Sequence, residues 1–270
     1  MKKVLSLLLT LSMLASLVAC GSNAQVTTET KAVETAAETV AETKAEETKA
    51  AGGKLIMCTN AEFPPYEYKE GGEFLGIDVE CAKKIGEKLG KEVEILDIAF
   101  DTLIPTVLSG KADFAMAGMT VTEDRLKNVD FSTTYQNAVQ AIIVTKDSAI
   151  ATADDLKNKL IGVQTGTTGD IYCTGDFGDA ALKRYSKITD GVQALKVGQI
   201  DAVVIDDQVA KTLVEQDPDS FKILDTPYAK EEYAIAVKKG NTELLNQINA
   251  AIEEMKSNGE LEAIVSKYIK

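Results

Sequence analysis

The sequence predicts an α/β protein of two βαβ lobes, joined by two strands that cross between them and separated by a cleft. Three observations predict it. Two stretches begin alike, "KLIMCTN" at Lys54 and "KLIGVQT" at Lys159, and each is followed by one member of a second similar pair, "LIPTVLSGKADFAMAGMT" from Leu103 and "GVQALKVGQIDAVVIDDQ" from Gly191. In both members a helix-like apolar pattern stops at a glycine (Gly110, Gly198), then passes an x-x-Asp step (Asp113, Asp201). A short unbroken apolar run follows each aspartate. Glycine suits the left-handed position just past a helix, and unbroken apolar runs suit strands buried on both faces of a parallel sheet. Strand, helix, glycine stop and strand, met twice, is βαβ logic.

Ahead of these lobes the chain has a different character. "MKK" followed by "VLSLLLTLSMLASLVAC" reads as a signal peptide over residues 1–19, too short to span a membrane as a mature helix. Its end, "LVAC", matches a lipobox, which makes Cys20 the expected lipid attachment site. Residues 20–53 are mostly Ala, Thr, Glu and Lys, with no aromatic residue and almost no large aliphatic one. Such a segment buries too little apolar surface to offset its ordering entropy, so a disordered tether is expected.

Within the folded part, "FLGIDVECAKKIGEKLGKEVEILDIAF" reads as a strand end, a helix with apolar positions at Val79, Ala82, Ile85 and Leu89, a stop at Gly90 and a further strand. "VQAIIVTK" is apolar and extended, and suits a passage from the first lobe to the second. "EYAIAVKK" suits the return. The last stretch, "NTELLNQINAAIEEMKSNGELEAIVSKYI", reads as two helices separated by "SNG". The expected division is therefore 54–138 and 234–270 for lobe 1, and 139–233 for lobe 2.

Composition removes several function classes. The chain carries a formal net charge of −13, which argues against nucleic acid or an anionic membrane surface as a partner. It has no His and no Trp, so the commonest general base and the commonest transition-metal ligand are missing. Cys58, Cys81 and Cys173 are odd in number and widely spaced; they form no disulfide framework and no metal-ligand pattern, although one pair could join. No catalytic residue, metal site or cofactor is expected.

Counting five residues on from Asp113 and Asp201 reaches Gly118 and Asp206, the expected carboxyl ends of equivalent strands. Ligands of open α/β sheets bind beyond such ends, so two facing sheets bring both into one cleft. "GMTVTEDR" (118–125) then carries two readings, a helix start at Thr122 and a ligand-facing strand end. Arg125 offers a planar fork of donors to a carboxylate, and Asp206 an anion to an ammonium, although Asp206 is equally placed to cap the following helix. The Gly118 carbonyl and Thr120 hydroxyl can accept from the ammonium. "TGTTGD" (165–170) opens a helix whose amides at Thr167 and Thr168 can face an anion, or it is a plain turn. Phe63 and Phe100 are placed either in the core or against the ligand's stem. Together these groups describe an α-amino-acid zwitterion.

The sequence also resembles the extracellular solute-binding proteins of polar amino-acid ABC transporters. The resemblance runs from about Lys54 to Lys270 and is carried by "NAEFPPYEY", "GIDVECAKKI", "FDTLIPTVLSGKADFAMAGMTVTEDR", "VDFSTTY", "IGVQTGTTGD", "GQIDAVVIDD" and "INAAIEEMKSNGELEAIVSKY". It implies the type II periplasmic-binding-protein fold, and a lipid-anchored receptor on the extracytoplasmic face of the cell membrane. Such a receptor is expected to act as a monomer that closes on its ligand and delivers it to an ABC permease. By the resemblance, Arg125 grips the α-carboxylate with help from the backbone at Thr120 and Thr168. Asp206, the Gly118 carbonyl and the Thr120 hydroxyl hold the α-ammonium, and Phe63 and Phe100 flank the side chain. The chain departs from the family's pattern at Asn60, where members binding basic or amide side chains often carry an aspartate. Glu62 lies two residues on, and Gln164 is a further candidate to face the ligand's side chain. A polar uncharged side chain and a cationic one both stay open. Two other roles are open as well: a cleft-based dehydratase-like enzyme using Glu62 or an aspartate as acid or base, and a ligand sensor for a signalling protein.

Overall fold

Alternating and unbroken apolar runs become fourteen strands, and the 3.6-residue patterns become eight helices, in the computed structural model, which describes residues 53–225 and 227–269. The expected signal peptide, the Cys20 lipidation site and the tether up to residue 52 lie outside the described residues. In chain order the elements are β1 (Lys54–Thr59), β2 (Glu62–Phe63), β3 (Glu67–Glu70), β4 (Glu73–Leu75), α1 (Ile77–Lys88), β5 (Glu92–Asp97), α2 (Leu103–Leu108) and β6 (Phe114–Ala115). Then come α3 (Glu123–Leu126), β7 (Val129–Phe131), β8 (Gln136–Thr145), β9 (Ile161–Gln164), α4 (Thr168–Phe177), β10 (Leu182–Tyr185), α5 (Ile188–Lys196) and β11 (Ala202–Asp206). The chain ends with α6 (Asp207–Glu215), β12 (Phe221–Ile223), β13 (Ala229–Tyr233), β14 (Ala236–Lys238), α7 (Thr242–Ser257) and α8 (Glu260–Tyr268).

Two sheets form the two lobes. One has the order β5-β1-β6-β14-β7, with β1 parallel to β5 and β6, and β14 antiparallel to its neighbours. The other has the order β10-β9-β11-β8-β12, with β9 parallel to β10 and β11, and β8 antiparallel to β11, β12 and also β13. A small antiparallel sheet of β2, β3 and β4 lies beside the first.

The glycine-then-aspartate echo has a structural cause in both lobes. Gly110 and Gly198 take positive φ (75° and 71°) just past α2 and α5, which ends each helix. Each aspartate then clips to the neighbouring strand. Asp113 exchanges two hydrogen bonds with Ile56, one through its carboxylate at 2.7 Å and one through its own amide at 2.8 Å; Asp201 does the same with Leu160 at 2.8 Å for both. The step pins the entry of β6 and β11 to the start of the strand they join.

The crossing strands differ in detail from the expectation. "EYAIAVKK" is divided, its tyrosine ending β13 in the second sheet and its Ala236 opening β14 in the first. "VQAIIVTK" lies within β8 up to Thr145, with Lys146 just past it, and β8 belongs to the second sheet from Gln136 onward. The outward passage is therefore Ser132 to Tyr135, ahead of residue 138. The two passages bond to one another, Ser132 N–H donating to the Ile235 carbonyl and Tyr135 N–H to that of Tyr233, both at 2.9 Å. β6 is also shorter than the run "DFAMA" suggested, ending at Ala115. Beyond it the chain bends at Ala117 and Gly118 and is then held by a bridge between Thr120 and Tyr233 and by the Ala234 amide donating to the Met119 carbonyl at 3.1 Å.

Cys58, Cys81 and Cys173 are free thiols buried in the core. Burial pushes the Cys58 and Cys173 thiols up to about 12. No pair joins.

Candidate functional site

Gly118, in the bend three residues past β6, has φ +51°, and a Cβ there would sit 3.0 Å from the Phe63 ring and 3.4 Å from the Tyr233 ring. Only glycine satisfies both the backbone and the space. Phe63 is thus buried over Gly118, and it also lies beside Tyr66 with ring centroids 6.1 Å apart. Thr122 caps α3 by accepting from the Arg125 amide at 3.2 Å, so "GMTVTEDR" is a helix start; it is not the expected strand end, because β6 stops three residues before Gly118.

The cap turns the Arg125 side chain inward, leaving the residue 7% exposed. Both hydrogen bonds of its guanidinium go to backbone carbonyls: Thr120 O at 2.7 Å in its own lobe, and Gly166 O at 3.1 Å in the other. Phe100 lies under the guanidinium, 5.3 Å from ring centre to Cζ. A buried guanidinium with five donors and only carbonyl partners is built to accept a planar anion. Burial lowers its proton affinity, while the nearby charges of Glu231 and Asp206 oppose that.

Across the cleft, Asp206 ends β11 and sits at the N-cap position of α6, but its side chain makes no capping bond. It points to Tyr233 instead, whose hydroxyl donates to it. Burial first, and the charge of Glu231 second, push the Asp206 carboxyl well above the usual carboxylate range. Thr167 is a structural cap rather than an anion contact. Its amide and hydroxyl both donate to the Gln164 carbonyl, at 3.3 and 2.8 Å, and its hydroxyl accepts from the Asp170 amide at 3.4 Å. Thr168, one residue on at the start of α4, is buried with its hydroxyl 3.4 Å from Gln140 Nε2.

Asn60 and Gln164 meet directly: Gln164 Nε2 donates to Asn60 Oδ1 at 2.8 Å, and Asn60 Nδ2 to the Ile98 carbonyl at 2.9 Å. One amide from each lobe thus bridges the cleft. Glu62 is engaged elsewhere, in an ion pair with Lys187 of the opposite lobe.

Four residues outside the expected set complete the site. Glu231 on β13 is buried, accepts from Gln140 Nε2 at 2.9 Å and leaves Oε1 unpartnered; Gln140 Oε1 is unpartnered too. Tyr172 of α4 faces Glu231, and burial together with that charge pushes its hydroxyl up to about 12. Tyr233 is fully buried between Tyr66 and Tyr135. A signal for Glu231 exists in "AKEEY": on an alternating strand it shares the inward phase of Tyr233, whereas Glu232 is exposed. Among the described residues, no group of three or more His, Cys, Asp or Glu could hold a metal ion, and no helix is long and apolar enough to cross a membrane.

Two α/β lobes tied by paired crossings, with a buried cation in one lobe facing buried carboxyls in the other, define a two-lobed solute receptor. The chain belongs to the bacterial extracellular solute-binding proteins, family 3, whose model matches residues 55–270. It is 39% identical over 220 residues to the arginine-binding extracellular protein ArtP of Bacillus subtilis, covering 80% of this chain and 86% of that one. It is 31% identical to the ABC transporter glutamine-binding protein GlnH of Bacillus subtilis, covering 100% and 98%. Among solved structures, an ancestral arginine-binding protein bound to arginine superimposes with a TM-score of 0.78 at 43% identity, covering 81% of this chain and 99% of that one. This family comprises receptors, not enzymes, and its members act outside the cytoplasm.

Proposed function

We propose that the protein binds a cationic α-amino acid, arginine first among them, and presents it to an ABC permease while anchored to the membrane through lipidated Cys20. The observation that carries the reading is the buried Arg125 guanidinium, which spends its bonds on carbonyls of both lobes and faces buried Asp206 and Glu231. The ligand's carboxylate takes the free fork of Arg125, with Thr168 opposite. Its ammonium takes Asp206, the Gly118 carbonyl and the Thr120 hydroxyl. Phe63 and Phe100 bound its stem.

Charge balance favours a cationic side chain. Asp206 and Glu231 outnumber Arg125 in the closed cleft, and an uncompensated buried charge is costly. A neutral amino acid leaves that excess in place, and a cationic one cancels it. The relatives named for arginine agree with this. A glutamine-like ligand is the second reading, because the Asn60–Gln164 amide pair suits a neutral amide and one relative is named for glutamine. The mechanism is closure: the ligand bridges both lobes, so its differential contacts stabilise the closed form that a permease recognises. The receptor acts as a monomer in this scheme.

Thermal unfolding against the twenty amino acids tests the reading, on protein freed of endogenous ligand by unfolding and refolding. Arginine and its basic relatives should raise the midpoint most. No shift with any amino acid, from folded protein, would remove the zwitterion assignment.

A further inference from the structure

Beneath the cleft floor lie two carboxyls that the binding scheme does not use. Glu67 of β3 is 1% exposed and Asp78, in the first turn of α1, is 0% exposed. Asp78 Oδ2 accepts from the Gly118 amide and from the Tyr135 hydroxyl, both at 2.8 Å. Gly118 is the bend past β6 that the binding scheme sets against the ligand, and Tyr135 closes the outward passage between lobes. One carboxylate oxygen therefore ties α1 to both.

The other oxygen, Asp78 Oδ1, is buried with no donor, and so is Glu67 Oε2. The two carboxyls are neighbours, for the Asp78 amide donates to the carbonyl of Tyr66, the residue before Glu67, at 2.9 Å. The titratable groups around them are Asp206, Asp97, Tyr66, Tyr135 and Cys81, and none of these is a cation. Lys267 and Tyr268 of α8, which packs on α1, are spent on Glu80. Two ionised carboxylates in such a place would repel one another with nothing to balance them, whereas one proton between them satisfies both orphan oxygens. Asp78 receives two donors and so holds the charge. Glu67 receives none and so holds the proton. Burial raises both groups, Asp78 to about 6 and Glu67 further.

We propose that Glu67 is a carboxylic acid donating to the Asp78 carboxylate, and that this pair is a positioning device holding the Gly118 bend and the Tyr135 passage in register beneath the ligand. The positioning role rests on the receptor reading above; the shared proton does not.

The test compares wild type with Glu67→Gln, which keeps a donor but cannot titrate, and Glu67→Met, which keeps bulk without a donor. Urea unfolding without ligand, from about pH 5 to about pH 7.5, decides the proton. Native Glu67 keeps a proton that the unfolded chain releases, so wild type loses stability relative to E67Q as pH rises, by about tenfold in the folding constant per pH unit. A flat ratio overturns the shared proton. If E67Q does not fold, carboxyl NMR of wild type labelled with ¹³C-glutamate decides instead: one acid-form glutamate near neutral pH supports the pair, and all ionised overturns it.

Arginine affinity decides the positioning. E67Q should bind within about threefold of wild type, while E67M should lose about tenfold or more, the scale of a lost bond to a charged group. Equal affinities for E67M and E67Q overturn the role. If E67M does not fold, the wild-type affinity should fall relative to that of E67Q as alkali removes the proton, and parallel pH curves overturn it. Wild type that binds no arginine fails the receptor reading, and the urea series still stands on its own.

Discussion

Replacing Arg125 by alanine separates binding from folding in this protein. The guanidinium is almost wholly buried and donates to the Thr120 and Gly166 carbonyls at 2.7 and 3.1 Å, so its fork is fixed before a ligand arrives. A carboxylate meeting that fork gains charge-assisted bonds worth roughly 1.5–3 kcal/mol each. Losing two of them costs about 3 kcal/mol or more, and at about 1.4 kcal/mol per decade arginine affinity falls about a hundredfold or further. Stability should change less, within about 2 kcal/mol, because the buried cation's own desolvation cost goes with it and Asp206, already raised by burial, takes up a proton when the cation facing it is removed. The Thr122 cap, which uses the Arg125 backbone amide, survives. Arg125→Lys keeps the charge without the fork and should fall between, about one decade below wild type. Titration calorimetry near pH 7, with urea unfolding of each variant, reads both quantities. Folded Arg125→Ala that binds arginine within about tenfold of wild type would refute the assignment of the carboxylate to this residue.

Three further outcomes follow from the same geometry. The Asp206 carboxyl is raised by burial, so folding favours its protonated form, and its contribution to the stability of the free protein is lost as pH climbs through the raised value. An arriving ammonium favours the ionised form, so arginine binding near neutral pH should release protons, seen as heats that vary with buffer ionisation enthalpy; buffer-independent heats would count against an Asp206–ammonium contact. Glu231→Gln removes one of two anions facing Arg125, and should lower the ratio of arginine to glutamine affinity by about tenfold, roughly the 1.4 kcal/mol of one modest charge interaction. An unchanged ratio would separate Glu231 from ligand selection. Cys58, Cys81 and Cys173 are buried free thiols, so a thiol reagent should label them only after denaturant is added.

Much of the site was legible along the chain because its parts are local. Gly118, Thr120, Thr122 and Arg125 lie within eight residues of chain, and Asp206 lies at a fixed count from an aspartate that itself follows a glycine stop. Other residues were legible as candidates only. Thr167 is a cap because its hydroxyl reaches Gln164 and Asp170, and Glu62 is held by Lys187, a residue far along the chain in the other lobe.

The sequence by itself determined two βαβ units and where their helices stop, since periodicity and glycine conformation act over a few residues. Tertiary structure alone decided which residues stand opposite one another. Glu231 meets Arg125 and Asp206, Gln164 meets Asn60, and Glu67 meets Asp78 because distant strands pair in one register. A carboxylate in sequence carries no mark of its neighbour. Its protonation and its partner follow from burial and distance, and these exist only once the sheets have assembled.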